Sequence, residues 1–122
     1  MTDNNEKKLL DTVIKALDSK RAEDIRLLCI KDITVVADYF IIANGTSNTQ
    51  TKALADEVEF QLKQNGVEPL RIEGYQTANW IAMDYGSFIV HVFYKETREY
   101  YNLERLWNDA EQIDISDLII KE

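Results

Sequence analysis

Apolar residues recur at helical spacing in two long segments of the chain. The first stripe predicts a helix over about 5–20, and Asp3 followed by Glu6 is typical of a helix start. The second stripe predicts a helix that begins after Ser47 and stops at Gly66, because Ser47 and Gln50 have the spacing of a capping box. The two stripes consist of Leu9, Leu10, Val13, Ile14 and Leu17, and of Thr51, Leu54, Ala55, Val58 and Leu62.

Runs of β-branched and aromatic residues between and after these helices predict about five strands. The runs 25–33 and 39–43 are apolar on both faces, as is typical of strands inside a sheet, and 70–73 is a shorter run. Two more runs, 80–84 and 87–93, flank Tyr85-Gly86 and therefore predict a hairpin.

The pairing in this hairpin decides which residues share a face. If its turn has two residues, Asp84 lies opposite Ser87 and Trp80 lies opposite His91. One face is then wholly apolar and is expected to be core, with Ile81, Met83, Phe88, Val90 and Val92. The other face is half apolar, and we expect a helix or a partner to cover it; it carries Trp80, Ala82, Asp84, Ser87, Ile89 and His91.

The C-terminal quarter predicts a last helix capped by Thr97, followed by an apolar tail at 111–122. The helix has an apolar side made of Tyr100, Leu103, Leu106, Trp107 and Ala110. The tail is too apolar for an ordinary disordered terminus, so we expect it to dock on its own domain or on a second copy.

The predicted element order, α-β-β-α-β-β-β-α, indicates one α/β (α+β) domain over residues 1–122, with helices packed on a mixed sheet. The chain has 122 residues, of which 45% are hydrophobic and 30% are charged. The strands joined by the second helix can be parallel through a right-handed crossover, whereas the hairpin must be antiparallel.

The charge and the cysteine content narrow the classes of partner. The formal net charge of -8 disfavours free nucleic acid and suits a basic protein, although acidity can also serve solubility alone. The single cysteine, Cys29, favours a reducing compartment. The chain lacks an apolar run of the ~20 residues that a membrane helix needs, and MTDNNEKK is no signal peptide, so we expect a cytoplasmic protein without membrane contact.

The Gly45-Thr46-Ser47 turn lies between a strand and a helix, where it could cap the helix or hold an anion. A similar turn opens the active site of nucleotidyltransferases, which also need two or three carboxylates to hold metal ions. The third strand supplies only Glu73, while Glu57 and Glu59 lie on the second helix. We therefore expect no catalysis, metal or cofactor, and at most a vestigial anion site; the alternative is a nucleotide-binding enzyme of nucleotidyltransferase type that uses this turn.

Trp80 and His91 are the remaining candidates for function. His91 is the only histidine, and a hydrogen bond or packing beside Trp80 explains it better than a metal site, which needs roughly four ligands. Trp80 is either an ordinary half-buried aromatic residue or an interface anchor, because tryptophan is enriched at interface hot spots. Tyr75 could widen the same patch.

Together, several motifs resemble the ribosomal silencing factor family (RsfS, also called Iojap), from about Leu9 to Trp107. The motifs are Asp38-Tyr39-Phe40-Ile41-Ile42, Gly45-Thr46-Ser47, Ala55-Asp56, Glu73-Gly74, Trp80-Ile81, Asp84, Gly86, Ile89-Val90-His91-Val92-Phe93, Arg98, Tyr101, Leu103-Glu104 and Leu106-Trp107. Many family members have Asp where this chain has Ser87, and Arg or His where it has Asn48-Thr49-Gln50.

The resemblance implies a nucleotidyltransferase-like fold without catalysis. It also implies binding to the large ribosomal subunit through the ribosomal protein numbered fourteen, which blocks joining of the small subunit and represses translation when nutrients are scarce. Homodimers are common in such a family, and a simple oligomeric scaffold is a further alternative.

For the binding surface we expect Trp80 to act as the anchor and Asp84 to pair with a partner's Lys or Arg. Tyr75, Ser87 and His91 would extend this surface. If Trp80 is an anchor at the surface, we expect Trp80→Ala to abolish binding to the large subunit while the melting temperature barely changes.

Overall fold

The computed structural model describes residues 2–120; the side chains of residues 2–4 and of Leu106 are outside that description. The predicted roles of the Asp3 side chain and of Leu106, and the last two residues of the predicted tail, therefore lie outside the described part. The helices are α1 (Thr2–Ser19), α2 (Asn48–Gln64), α3 (Lys95–Tyr101) and α4 (Leu103–Leu106). The strands are β1 (Glu23–Cys29), β2 (Tyr39–Gly45), β3 (Arg71–Glu73), β4 (Trp80–Asp84), β5 (Phe88–Tyr94) and β6 (Glu111–Ile113).

The strands form one mixed six-stranded sheet within residues 2–120, in the order β3-β4-β5-β2-β1-β6. Only the central pair, β2 with β5, is parallel among these neighbours. Strand β3 also runs parallel to β2, to which α2 joins it, but β4 and β5 lie between them. The predicted α/β class and mixed sheet are confirmed.

Helices α1 and α2 pack on one face of the sheet and close the larger core. Both predicted stripes point into this core, where Val13, Leu17, Leu54 and Leu62 are fully buried. The face that the hairpin pattern assigned to the interior lies beneath them, because Ile81, Met83, Phe88, Val90 and Val92 all belong to the same core.

Helix α4 and the residues after it cover part of the opposite face and close a smaller core. Leu28, Phe40, Ile42 and Phe93 project from the sheet into this core, and Leu103 seals it from above. Trp107 packs edge-on against Phe40, with 5.4 Å between ring centroids.

The predicted register of the hairpin is wrong by two residues. Met83 pairs with Val90 and Trp80 pairs with Phe93, because the turn is longer than two residues and closes with the Tyr85 N–H donating to the Phe88 carbonyl. An even shift leaves each side chain on its predicted face.

The tail docks on its own domain, which is one of the two predicted outcomes. Its residues Glu111–Ile113 form β6, a strand that the sequence pattern did not predict, and pair with the edge of β1. Ile115, Leu118 and Ile119 then pack against the larger core.

Three predicted element boundaries are also wrong. Helix α1 begins at Thr2, so Asp3 lies inside it. Strand β1 ends at Cys29, because Ile33 and Thr34 donate hydrogen bonds back to the Ile30 carbonyl and form a turn. The last helix begins at Lys95 and is broken at Asn102, which adopts a left-handed conformation (φ 49°), so Thr97 is not its cap.

Candidate partner-binding surface

One half of the sheet is covered on both faces, and the other half is partly open. On the face of the smaller core, Leu28 of β1 and Phe40 and Ile42 of β2 are buried. On the same face, Trp80, Ala82 and Asp84 of β4 are only partly buried. Their cross-strand neighbours Arg71 and Glu73 on the edge strand β3 are exposed. This open area, from β3 to β4, is the candidate binding surface and is called the open face below.

Trp80 is held rigidly at one end of the open face. Its indole stacks on Phe93 at 4.9 Å and contacts Tyr101 at 5.0 Å between ring centroids. Its Nε1–H donates a hydrogen bond of 3.0 Å to Nδ1 of His91. The predicted bond between His91 and Trp80 is thus present, and Trp80 is a fixed platform rather than a protruding anchor.

His91 is 7% exposed, so it supports the open face from below and does not extend it, contrary to expectation. Burial lowers the pKa of His91 to about 4. The neutral ring accepts from Trp80 through Nδ1, and its Nε2 finds no hydrogen-bond partner within residues 2–120. Truncating Trp80 would leave both ring nitrogens without a partner, so the expectation that Trp80→Ala spares stability does not fit this geometry.

Asp84 lies at the other end of β4 and shapes the turn. Its Oδ1 accepts a 2.8 Å hydrogen bond from the Gly86 N–H, and its Oδ2 lies 3.7 Å from a guanidinium nitrogen of Arg71. Ser87 is exposed beside it, and the Ser87 carbonyl accepts from the Asp38 N–H at 2.8 Å. Because Trp80 and Asp84 are four residues apart on one strand, roughly 13 Å separates them along the surface.

Tyr75 does not widen the Trp80 patch, contrary to the prediction from sequence. Its hydroxyl donates to Asp56 on α2 at 2.9 Å, and the Lys52 ammonium lies 5.3 Å from its ring centroid. Its ring packs against the larger core, which lies on the opposite side of the sheet from Trp80.

The Gly45-Thr46-Ser47 turn starts α2. The Gln50 N–H donates to the Ser47 hydroxyl at 3.0 Å, while the Gln50 side chain accepts from the Thr46 N–H at 2.7 Å. The capping box therefore forms with its return bond one residue earlier than predicted. A Cβ at Gly45 would lie 3.1 Å from the Thr51 nitrogen, so the close approach of β2 to α2 favours glycine there.

The described residues contain no group of three or more His, Cys, Asp or Glu side chains arranged to hold a metal ion. None of the helices in this part of the chain is long and apolar enough to cross a bilayer.

A groove of about 480 Å³ adjoins Trp80, and the sequence analysis did not predict it. Its walls come from the residues before β4, from Trp80, from Tyr94 at the end of β5, and from α3, which includes Tyr100 and Tyr101. These two tyrosines are 82% and 51% exposed, so Tyr100 does not face the core as its helical stripe predicted.

Arg98 fixes α3 and α4 to the sheet. The sequence pattern did not predict this role. Arg98 is 6% exposed and donates to the Asn44 side chain and to the Asp24 carbonyl, each at 2.8 Å. It also forms a two-bond ion pair with Glu104. The sequence places Arg98 in a charged segment, a context that is typical of exposed side chains.

The family model described as "Ribosomal silencing factor during starvation" (RsfS) matches residues 3–122 of this chain. The chain belongs to the RsfS family. It is 45% identical to "Ribosomal silencing factor RsfS" of Bacillus subtilis over 111 residues, which cover 91% of this chain and 94% of that relative. RsfS proteins are named for silencing and for the ribosome, and not for a catalytic activity.

Two further proteins similar to this chain extend the comparison. A crystal structure of a Bacillus halodurans protein has a TM-score of 0.80 and 38% identity, and the match covers 89% of this chain and 99% of that chain. The mouse protein "Mitochondrial assembly of ribosomal large subunit protein 1" is 32% identical over 80% of this chain and 44% of its own length.

Proposed function

We propose that this chain silences translation by occupancy: it binds the large ribosomal subunit and blocks joining of the small subunit. The proposed contact is a basic ribosomal protein, the one numbered fourteen, and the proposed trigger is scarcity of nutrients. Membership of the RsfS family is the observation that carries this proposal. The name of the mouse relative, which refers to assembly of the ribosomal large subunit, also supports this choice of subunit.

The shape and charge of the open face support the same proposal. The face is partly apolar and preformed, and it carries two acidic residues, Glu73 and Asp84, against one basic residue, Arg71, in a chain of net charge -8. A surface with a net acidic charge and a fixed aromatic residue suits a basic protein, because complementary charge speeds encounter and suppresses wrong partners. In this proposal Trp80 is the platform, Asp84 and Ser87 contact the partner at the turn, and His91 keeps the indole in place.

Ala82 lies between Trp80 and Asp84 on β4, so Ala82→Arg places a bulky positive charge in the middle of the open face. We expect this variant to lose co-sedimentation with purified large subunits and to stop slowing subunit joining, measured by light scattering. Ala53→Arg on α2 is the matched control, because Ala53 is partly buried on the other side of the sheet.

Equal binding by Ala82→Arg and Ala53→Arg would contradict the use of the open face. Since Arg at position 82 could disturb packing, Glu73→Lys provides a second test on the same face, at an exposed residue that pairs with Ala82. Lack of co-sedimentation by the wild-type chain would refute the proposed function itself.

Catalysis at the Gly45-Thr46-Ser47 turn is the alternative that the sequence left open. Gln50 occupies the Thr46 donor in this structure. We expect no thermal stabilisation when a nucleoside triphosphate with magnesium is titrated into the protein, and a clear shift would favour a nucleotide-binding enzyme.

We also propose that the chain forms a homodimer through the open face. Dimer formation and ribosome binding would then exclude each other, and the dimer would be an inactive reserve. Sedimentation of the chain alone and with large subunits tests it: coexistence of dimer and bound complex in one particle would contradict competition.

A further inference from the structure

The groove beside Trp80 adjoins the open face and differs from it in composition. Aromatic rings of Trp80, Tyr94, Tyr100 and Tyr101 line it, together with one ionisable carboxylate, that of Glu96. The rings are arranged in advance, since Tyr101 contacts both Trp80 at 5.0 Å and Tyr100 at 5.1 Å between centroids. The groove is open to solvent on the side of Tyr100, which is 82% exposed.

We propose that this aromatic groove receives a lysine or arginine side chain of the protein that the chain binds. The inference rests on the proposed function and adds to it a recognition site on α3. Aromatic faces attract a cation through their quadrupole, and a carboxylate at the same place adds an ion pair. Within residues 2–120 the Glu96 carboxylate makes no hydrogen bond or ion pair, so it is available to a partner.

The charge of the groove argues against a nucleic-acid occupant. A phosphate placed among these rings would meet the carboxylate of Glu96. The chain as a whole is acidic, whereas phosphate binding requires clustered lysine and arginine. A basic protein side chain is the occupant whose charge complements the site.

Arg98 makes this groove a fixed part of the fold. It lies between Glu96 and Tyr100 in sequence but points the opposite way, into the interior, where it bonds to Asn44 and Glu104. The buried guanidinium thereby holds the helix that supplies the carboxylate and two of the rings. A preformed site loses less side-chain entropy on binding than a mobile one.

Charge reversal distinguishes the kind of occupant. We expect Glu96→Lys to weaken binding to purified large subunits by about tenfold or more, because it places like charges together. Glu99→Lys is the matched control, since it makes the same charge change on the same helix at a residue that does not line the groove. We expect it to weaken binding much less.

Removal of a ring tests the aromatic part of the site. Tyr100→Ala should weaken binding by about three- to thirty-fold, the range for loss of one cation–π contact. Phe60→Ala on α2 is the control, because Phe60 is 55% exposed and lies away from the groove. Both residues are largely exposed, so the melting temperatures should stay close to that of the wild type.

The outcomes separate this inference from the proposed function. If wild type binds and Glu96→Lys binds no worse than Glu99→Lys, the groove inference is refuted and the proposed function stands. Tighter binding by Glu96→Lys would indicate ribosomal RNA as occupant and would also overturn it. If Tyr100→Ala binds the large subunit as wild type does but no longer forms a dimer, the occupant of the groove is a second copy of this chain. That result also refutes the groove inference. Failure of the wild type to bind refutes the proposed function.

Discussion

Arg98→Met is the perturbation for which the structure predicts the largest loss of stability. The substitution keeps most of the apolar stem and removes the guanidinium, which is the group that joins β1, β2, α3 and α4. Four acceptors would lose their donor: the Glu104 carboxylate, the Asn44 amide oxygen and the backbone carbonyls of Asp24 and Glu23. The Asp24 carboxylate would also lose an ion pair at 3.5 Å.

The magnitude follows from the burial of this network. The Arg98 side chain is 7% exposed and that of Glu104 is 23% exposed, so a carboxylate would remain in a largely dry site without its counter-ion. Removing one partner of a buried ion pair costs about 3–5 kcal/mol. Since domains of this size are stable by about 5–15 kcal/mol, we expect Arg98→Met to lower the melting temperature by more than about 10 °C.

Urea unfolding followed by circular dichroism measures the free energy of unfolding. Arg26→Met is the matched control, because Arg26 also pairs with Asp24, at 3.0 Å, but its side chain is 38% exposed. An exposed pair contributes less than about 1 kcal/mol, so this control should change stability little.

Equal losses in Arg98→Met and Arg26→Met would refute the reasoning about burial. The double variant Arg98→Met with Glu104→Gln provides a second check. It removes the stranded charge, so it should be more stable than Arg98→Met alone by about 1–2 kcal/mol.

Three further predictions concern a buried histidine, a tight turn and the tail. Because burial lowers the pKa of His91 to about 4, the unfolded chain binds a proton that the native chain does not between about pH 4 and pH 6.5. Stability should therefore fall by about 3 kcal/mol as the pH drops through that window, and the His91→Phe variant should lack this part of the loss in pH-dependent urea unfolding. Gly74→Ala should lower the melting temperature strongly, because the new Cβ would lie 2.0 Å from the Trp80 carbonyl oxygen at φ +81°. Deletion of residues 111–122 should destabilise the domain, measured by thermal unfolding, because it exposes the edge of β1 and the core residues under Ile115 and Leu118.

The predictions for His91 and Gly74 are each checked against a second protein. A wild type and a His91→Phe variant with parallel pH profiles would show that His91 does not titrate differently in the two states. Gly66→Ala is the control for Gly74→Ala: its φ is +78°, but no atom lies within 4 Å of the new Cβ. It should cost only about 1 kcal/mol, the strain of the backbone conformation. Equal effects of the two alanines would contradict the predicted clash.

The prediction for the tail is tested by a point variant as well. Ile119→Asp removes one apolar contact with the core while leaving β6 in place. The melting temperature of Ile119→Asp should lie between those of the wild type and the deletion variant. A deletion variant as stable as wild type would show that the tail contributes nothing to the fold.

Periodic signals in the sequence predicted the parts of the fold that depend on one buried face. The stripe ending at Leu62 and the alternation around Met83 both place side chains in the larger core. The register of the hairpin was not accessible in the same way, because the length of the turn at Gly86 is a local property that alternation does not encode. A shift of two residues leaves the alternation unchanged, so the faces were right although the pairs were wrong.

Strand β6 shows a different limit of sequence reasoning. Glu111 and Gln112 are exposed and polar, and only Ile113 reaches the core. Three residues with this pattern carry no strand signal of their own. Their structure comes from the unpaired edge of β1, a partner more than eighty residues away in sequence.

Contacts within the predicted hairpin could be predicted from the sequence, whereas contacts with elements distant in sequence could not. The hydrogen bond between Trp80 and His91 follows from their expected shared face, and it is present. The side of the sheet on which Tyr75 lies depends on its contact with Asp56, which the sequence does not reveal. Likewise, the burial of Arg98 depends on Asn44, which lies 54 residues away.

The buried polar groups near the open face are consistent with the proposed action by occupancy. A His91 ring whose Nε2 has no partner among residues 2–120 and an Arg98 guanidinium in the interior both cost stability compared with a wholly apolar core. In return, His91 fixes the orientation of the indole of Trp80, and Arg98 fixes the helix that carries Tyr101. A steric blocker performs no chemistry, so its effect depends on how long it stays bound. Rigid side chains that lose little entropy on binding lengthen that time, and the two buried groups provide this rigidity at the surface proposed to meet the ribosome.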